Sequence, residues 1–392
     1  MQEFRGALEA FDADHSPQGR VLRAGLVLIE ENGIDRVTVA AILAEAKVAR
    51  GTVYAHFGDV FGVFASAWTM LGGSWLRLMM TETDEASMPA DYRSALVQIL
   101  CAARRAPVLD EVVQPDVDEV WASLDRSEPV AELRAAWLLT MRLSNELSVA
   151  VLPEAVELDA LISIIAAMPG DIADRYQLHS AAPFAIEVPK VDSPFDAETD
   201  PITRRLMAAA VDVVAASGLA SASMLRICRT ARLTPGAAMP RFIDLRALHT
   251  YAFTESLADV VRQNRELFLG STTNLSIPDR AAAVTFSSMA EERVQWRRYR
   301  QEFHLAARTD PELAAMMREA ITATDSESMA ELRATGVPES ILRLMVLFVH
   351  VNAAGVAAVD GIRIPMRELD HRLMFRWVYE SLTGTAVVGI DL

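Results

Sequence analysis

Cysteine and lysine are almost absent from this chain of 392 residues. Cys101 and Cys228 are the only cysteines, too few and too far apart for a disulfide framework or a zinc site, so a reducing cytoplasm is the expected compartment. Lys47 and Lys190 are the only lysines, and arginine carries the rest of the positive charge. That charge is itself in short supply. A net charge of −16 argues against non-specific polyanion binding by the molecule as a whole, because affinity for nucleic acid rests on phosphate neutralisation. No alternating strand pattern of useful length occurs. A glycine-rich phosphate loop, a paired histidine-carboxylate metal signature and a nucleophile elbow are all missing, so neither catalysis nor a cofactor is expected. His304 and His371 lie near Glu302 and Asp370 and read as surface pairs on helices. The stretch Met1 to His15 has five acidic or basic side chains and no apolar core, so no secretory signal is expected. The best membrane candidate, Leu344 to Val359, is short for a span and contains His350 and Asn352. A buried helix at a subunit or module interface is the better reading, with no membrane partner.

What the chain does have is a repeat. Residues 20–64 and 205–249 align without a gap at an offset of 185, which sets Arg20 on Arg205, Gly33 on Gly218, Ile42 on Ile227, Gly51 on Gly236 and Phe57 on Phe242. A period this long implies two fused modules and not a solenoid of short units. Both copies are far less acidic than the rest: Arg20, Arg23, Arg36, Lys47 and Arg50 balance five acids in the first, and six arginines face only Asp212 and Asp244 in the second. A basic reading face on an acidic body would give that contrast.

Within the first copy, Val21, Ala24, Gly25, Leu28 and Ile29 mark one buried helix face, and Gly33 ends the helix. Thr38 caps a second helix with the stripe Val39, Ile42, Leu43 and Ala46; a third runs from about Ala49 to Phe57. The second copy follows this plan with Ser223 as cap and Cys228 as a small core residue in place of Leu43. Beyond each copy the period near 3.6 predicts helices over roughly 60–82, 90–105, 116–126, 129–151 and 154–167, then 245–268, 279–308, 311–335, 339–359 and 365–382. The expected organisation is all-α: a head at 1–64, a body at 65–180, a proline-rich linker at 181–201, a degenerate head at 202–249 and a second body at 250–392.

The run from Thr38 to Asp59, and above all Gly51-Thr52-x-Tyr54-x-His56-Phe57, resembles the DNA-binding domain of the TetR family of bacterial transcriptional regulators. The resemblance implies three-helix helix-turn-helix heads on helical effector-binding bodies, used as a two-fold dimer on a palindromic operator. It covers about 45 residues in each half. A recognition helix needs small or polar residues where it enters the major groove and donors for phosphates beside them. Ala49, Arg50, Gly51 and Thr52 meet the first need; Thr38, Lys47, Tyr54 and His56 are candidates for the second. Some positions depart from the family pattern. Lys47 stands for the usual turn glycine, Ala49 for the cap serine and Val60 for a lysine, so phosphate contact would lean on Lys47 and Arg20. In the second head the candidate readers are Arg229, Arg232, Thr234 and Arg241, but Pro240 predicts a short or kinked recognition helix.

The expected function is a ligand-responsive transcriptional regulator, a repressor in its simplest form. Its partners would be double-stranded DNA bearing an imperfect palindrome and a small, largely apolar effector. A two-fold pair of heads, from one chain as a pseudo-dimer or from a homodimer, would stand about 34–36 Å apart on DNA. The pairing helices would be 129–151 with 154–167, and 339–359 with 365–382. For the effector, Trp121, Trp137, Met141 and Asn145 in the first body, and Met289, Trp296, Phe303, Met317, His350 and Asn352 in the second, either line a pocket or pack in the core. Arg293, Arg297 and Arg300 share a helix face and read as a solvated charged face or an anion site. Gly72-Gly73 is either a hinge between head and body or a point of close packing. The alternative function is a sensor or protein-interaction module whose heads have lost DNA binding.

Overall fold

The computed structural model describes residues 2–81, 92–128, 130–176, 178, 193–270 and 275–384. Among these residues it consists of helices and turns with no strand. Most of the expected linker, 181–192, lies outside the described residues, as do positions 82, 90 and 129 at the edges of three expected helices.

The first half begins with α1 (Gln2–Ala13), which the sequence reading did not anticipate; Phe4, Leu8 and Phe11 bury its inner face. The head follows as α2 (Pro17–Asn32), α3 (Val39–Ala46) and α4 (Arg50–His56). Its body is α5 (Val60–Thr81), α6 (Arg93–Ala103), α7 (Pro107–Ala122), α8 (Ala131–Ser148), α9 (Asp159–Ala166) and the single turn α10 (Ile172–Arg175). The second half starts with α11 (Pro201–Ser217), α12 (Met224–Thr230) and α13 (Pro235–Ala238), then α14 (Leu245–Leu269), α15 (Ile277–Ser288), α16 (Val294–Ala307), α17 (Pro311–Leu332), α18 (Glu339–Gly361) and α19 (His371–Thr383).

Four expected helices need correction, and of these the one expected at 365–382 begins only at His371, capped by Asp370, after a separate 3-10 turn at Met366–Glu368. The segment expected at 116–126 starts earlier: α7 takes Pro107 at its first turn, where a proline loses nothing, and continues through Pro115. The helix expected at 279–308 is broken, because the guanidinium of Arg297 caps the carbonyls of Ser288 at 2.8 Å and Ala290 at 2.7 Å and so ends α15. In the 154–167 segment, Pro153–Leu158 is a 3-10 turn ahead of α9.

Packing extends the internal likeness beyond the heads. The packing of α2 on α5 and α6, of α7 on α5 and α6, and of α6 on α8 recurs as that of α11 on α14 and α16, of α17 on α14 and α16, and of α16 on α18, whereas the packing of α5 on α8 has no counterpart of similar extent and α15 is an extra helix in the second half. The sequence offset rises accordingly from 185 to 204, so that Ala102-Ala103-Arg104 falls on Ala306-Ala307-Arg308 and Pro107 on Pro311. The two halves join where α8 packs on α18 and α9 on α19. Gly355 makes that close approach possible, since a Cβ there would overlap Ser144 and the Thr140 carbonyl. The apolar helix α18 is thereby buried in protein, its inner residues packed against α8 and α16. One hydrophobic core runs through both halves. Ion pairs cross the seam: Arg104 reaches Glu302 at 2.5 Å, Arg105 reaches the same carboxylate at 3.2 Å and Arg308 reaches Glu146 at 2.8 Å.

Two surface readings are overturned. His304 and His371 are buried, and His371 Nδ1 accepts from the Trp137 indole at 3.1 Å. Arg293 and Arg297 are buried as well, so their helix face is not solvated. The hinge reading of Gly72-Gly73 gives way to packing. Both lie inside the unbroken α5, and a Cβ on Gly72 would run into the fully buried Trp68 ring.

Candidate nucleic-acid interface and the body cavity

The first head is assembled by caps that the sequence encodes. Thr38 Oγ1 accepts the Ala41 amide at 3.2 Å to start α3, and the Gly33 amide closes α2 on the Ile29 carbonyl at 2.9 Å. The turn between α3 and α4 is made by Lys47 in the left-handed region at φ 53°, a conformation for which glycine is the unstrained choice. Arg232 takes the same place in the second head at φ 54°. A single conserved shape thus tolerates a long basic side chain in both copies and points it outward, both residues being exposed.

In α4, Val53 is fully buried and anchors the helix, while Arg50, Gly51, Tyr54 and His56 are exposed and Thr52 is half-buried. Thr38, Lys47 and Ala49 are exposed beside them. The Arg50 guanidinium lies over the Tyr54 ring and donates to its hydroxyl at 3.3 Å, which pre-sets a cation and a phenol on one face. His56 Nε2 meets Gln18 Nε2 at 3.2 Å, tying the end of α4 to the start of α2. No atom outside the local backbone comes within 4 Å of a Cβ on Gly51, so this point of the helix is open to close approach. Arg20 also has a role inside the head: its Nε donates to the Ala46 carbonyl at 3.2 Å, and Arg205 donates from Nη2 to the Ala231 carbonyl. Both arginines clamp the end of the second helix of their copy while staying exposed.

The second copy of the repeat, 205–249, is reduced. Its third helix, α13, has four residues where α4 has seven, because Pro240 cannot donate to a continuing helix. Arg229, Arg232 and Thr234 are exposed, in keeping with an outward basic edge. Arg241 is withdrawn from the expected set, since its guanidinium is held by the Asp200 carboxylate and the Ala237 carbonyl. Large apolar side chains are exposed instead: Leu225, Met239 and Ile243, the last at 93%. Near the seam, Asp35 and the Arg105 guanidinium approach Gly218, so the bases of the two heads abut.

The expected effector residues divide. Trp121 is half-buried against the core, Trp137, Met141 and Met317 are fully buried in it, Met289 is a core residue, and Asn145 is spent on Asp159 at 2.5 Å. Phe303 borders a hollow between the two halves. Trp296, His350 and Asn352 line a cavity system within the second body. Sequence reasoning missed Val261, Asn264 and Val284 in its walls, which carry no signal beyond helix periodicity.

Residues 21–59 match the family model described as bacterial regulatory proteins, tetR family. The chain is 39% identical over 88 residues to proteins named uncharacterized HTH-type transcriptional regulators, one from Mycobacterium bovis and two from strains of Mycobacterium tuberculosis. That match covers 22% of this chain and 43% of each relative, so the chain spans less than half the length of the curated relatives it matches.

Proposed function

We infer, from a first head of the tetR type, that this protein is a DNA-binding transcriptional regulator acting where the chromosome lies, in the cytoplasm. The observation that carries the reading is α4, a short helix pinned by Val53 whose outer face offers Arg50, Gly51, Tyr54 and His56 to a groove. The acidic remainder of the molecule limits non-specific attachment, so binding would depend on this small basic face. The packing of α8 on α18 and α9 on α19 supports a single-chain pseudo-dimer, with heads at 1–64 and 202–249 on bodies at 65–180 and 250–392 joined by the 181–201 segment. The cavity of the second body supports control by a small effector.

The second head admits a further reading. Exposed Leu225, Met239 and Ile243 around a four-residue helix favour a protein-contact surface there over groove entry. In that case only one head reads DNA.

The test is fluorescence anisotropy of the full chain on DNA flanking its own gene, across a salt series. Arg50→Ala with Tyr54→Ala is expected to remove specific binding, a loss of about 100-fold or more for two contacts worth roughly 1–3 kcal/mol each. Arg229→Ala with Arg232→Ala is expected to lower the salt slope by about two if the second head touches phosphates, and to change nothing if it does not. No specific binding on that DNA, and none after selection from random sequence, would hand the function to the sensor without DNA.

A further inference from the structure

The second body contains two joined chambers. The larger, about 130 Å³, is walled by apolar side chains of α14, α15, α18 and α19, among them Val261, Val284, Phe348 and Val378. The smaller, about 50 Å³, is polar and is bordered by Asn264, Arg293, Arg297, Arg300 and Asn352. Val261, Asn264, Phe348 and His350 line both, so one molecule can occupy the pair.

The polar chamber holds more positive charge than the protein neutralises. Arg297 is buried, 6% exposed, and stands 3.5 Å from Asp360 while it caps α15. Arg293 reaches only amide oxygens, Asn264 Oδ1 at 3.1 Å and Gln263 Oε1 at 2.6 Å. Arg300 reaches only the Ser256 carbonyl at 3.1 Å. No carboxylate lies within 4 Å of Arg293 or Arg300 among the described residues, and the Nε groups of both are buried without a partner, as is Asn352 Oδ1. Burial, helped by the neighbouring guanidiniums, pulls both arginines down to about 10, while Asp259 acts on each, and Glu292 on Arg293, in the opposite sense from farther away. Asp259 is itself bound to Arg262 and Gln263, and Asp325 on the apolar side is taken by His350 Nε2 at 2.5 Å. Asp360 is shared between Arg297 and Arg298, so Arg293 and Arg300 are left without a carboxylate partner within 4 Å, in a place where an unpaired charge is costly.

The first half makes the point by contrast. At the position of Arg300 it has Leu96, fully buried, and at the position of Val260 it has Trp75, also fully buried. Where one half fills its core, the other introduces a cation and removes an indole.

We propose that the second body binds a monocarboxylic acid with a short apolar tail, its carboxylate between Arg293 and Arg300 and its tail in the apolar chamber. An anion answers two guanidiniums that have only neutral oxygens as partners, and a guanidinium pair is suited to a planar carboxylate. An apolar hollow of this size takes a benzene-sized group or a short alkyl chain. The proposal rests on the reading of the bodies as effector sensors and names the class of effector.

The test is calorimetric titration of the full chain with butanoate, hexanoate, octanoate and, as the neutral analogue, hexanol. Wild type is expected to bind hexanoate at least tenfold more tightly than hexanol, with affinity rising along the acid series until the chamber is full. Arg300→Leu, which installs the leucine of the first half, is expected to weaken hexanoate at least tenfold while leaving the melting temperature equal or higher. Val261→Trp is expected to abolish the gain with chain length. Failure of hexanoate and octanoate to bind wild type, or unchanged binding to Arg300→Leu, overturns the site, whatever the heads do with DNA. If the acids bind as expected but leave DNA affinity untouched, the site stands and the effector reading of the regulator falls.

Discussion

The Trp68 indole lies across Gly72 and donates from Nε1 to Asp116 Oδ2 at 2.8 Å, so the ring is held from both sides. A methyl group at Gly72 would force it off that position. Alanine raises helix propensity by about 1 kcal/mol, but overpacking a tight core costs roughly 1–3 kcal/mol. Gly72→Ala is therefore expected to lower the melting temperature by several degrees at unchanged DNA affinity, as read by calorimetry and anisotropy; a hinge would give unchanged melting and altered affinity. Single residues also mark the limit of legibility in the heads. Val53, Ile42 and Ile227 declare themselves as core by spacing, and they are fully buried. Arg20 and Arg205 do not declare their role, because an arginine that clamps a carbonyl has the same place in the sequence as one that reaches for phosphate.

Helices were largely legible where their ends carry local chemistry. Thr38, Ser223, Asp244 and Asp310 each cap the amide three residues on, and Gly33 and Gly218 close α2 and α11 at φ 83° and 81°. The same rules mislead at Pro115, which α7 carries inside it, and at Met289, where Arg297, from the next helix, caps the carbonyls at the end of α15. Helix junctions also set the response to acid. At the start of α19, His371 accepts from Trp137 of α8, a bond that needs Nδ1 without a proton. Burial holds His249, His304 and His371 down at about 4, against an ordinary value of 6.5. Between those values the unfolded chain binds more protons, so stability is complete above about pH 6.5 and declines as pH falls toward 4. Each histidine contributes a slope of up to about 1.4 kcal/mol per pH unit. Denaturant titrations over this range are expected to show that fall, and His371→Gln to remove roughly a third of it; a slope unaltered by the substitution would place the proton uptake elsewhere.

At the scale of the molecule, one chain contains both partners of a helix pairing that buries α18 against α8. The seam is closed by apolar packing and by Arg104, Arg105 and Glu302, whose burial pushes the Glu302 carboxyl up while the two guanidiniums pull it down. With that surface already covered, the chain is expected to sediment as a single species near its chain mass of 42.9 kDa at micromolar concentration. A stable species of twice that mass would assign DNA reading to heads from two chains.

By itself, the sequence determined the all-helical class, the position and build of the first head, the weakness of the second recognition helix and the existence of a repeat. All of these follow from periodicity, caps, a proline and a motif, which act within a few residues of each other. Only the tertiary structure decided which half carries the cavity, that Arg293 and Arg297 are buried, that Arg241 is taken by Asp200, and that α15 is the extra helix separating the two halves' plans. Those outcomes depend on what lies across from each side chain. Partners such as Asp200 and Arg241, 41 residues apart, leave no local pattern, because burial and ion pairing are properties of contacts between distant segments.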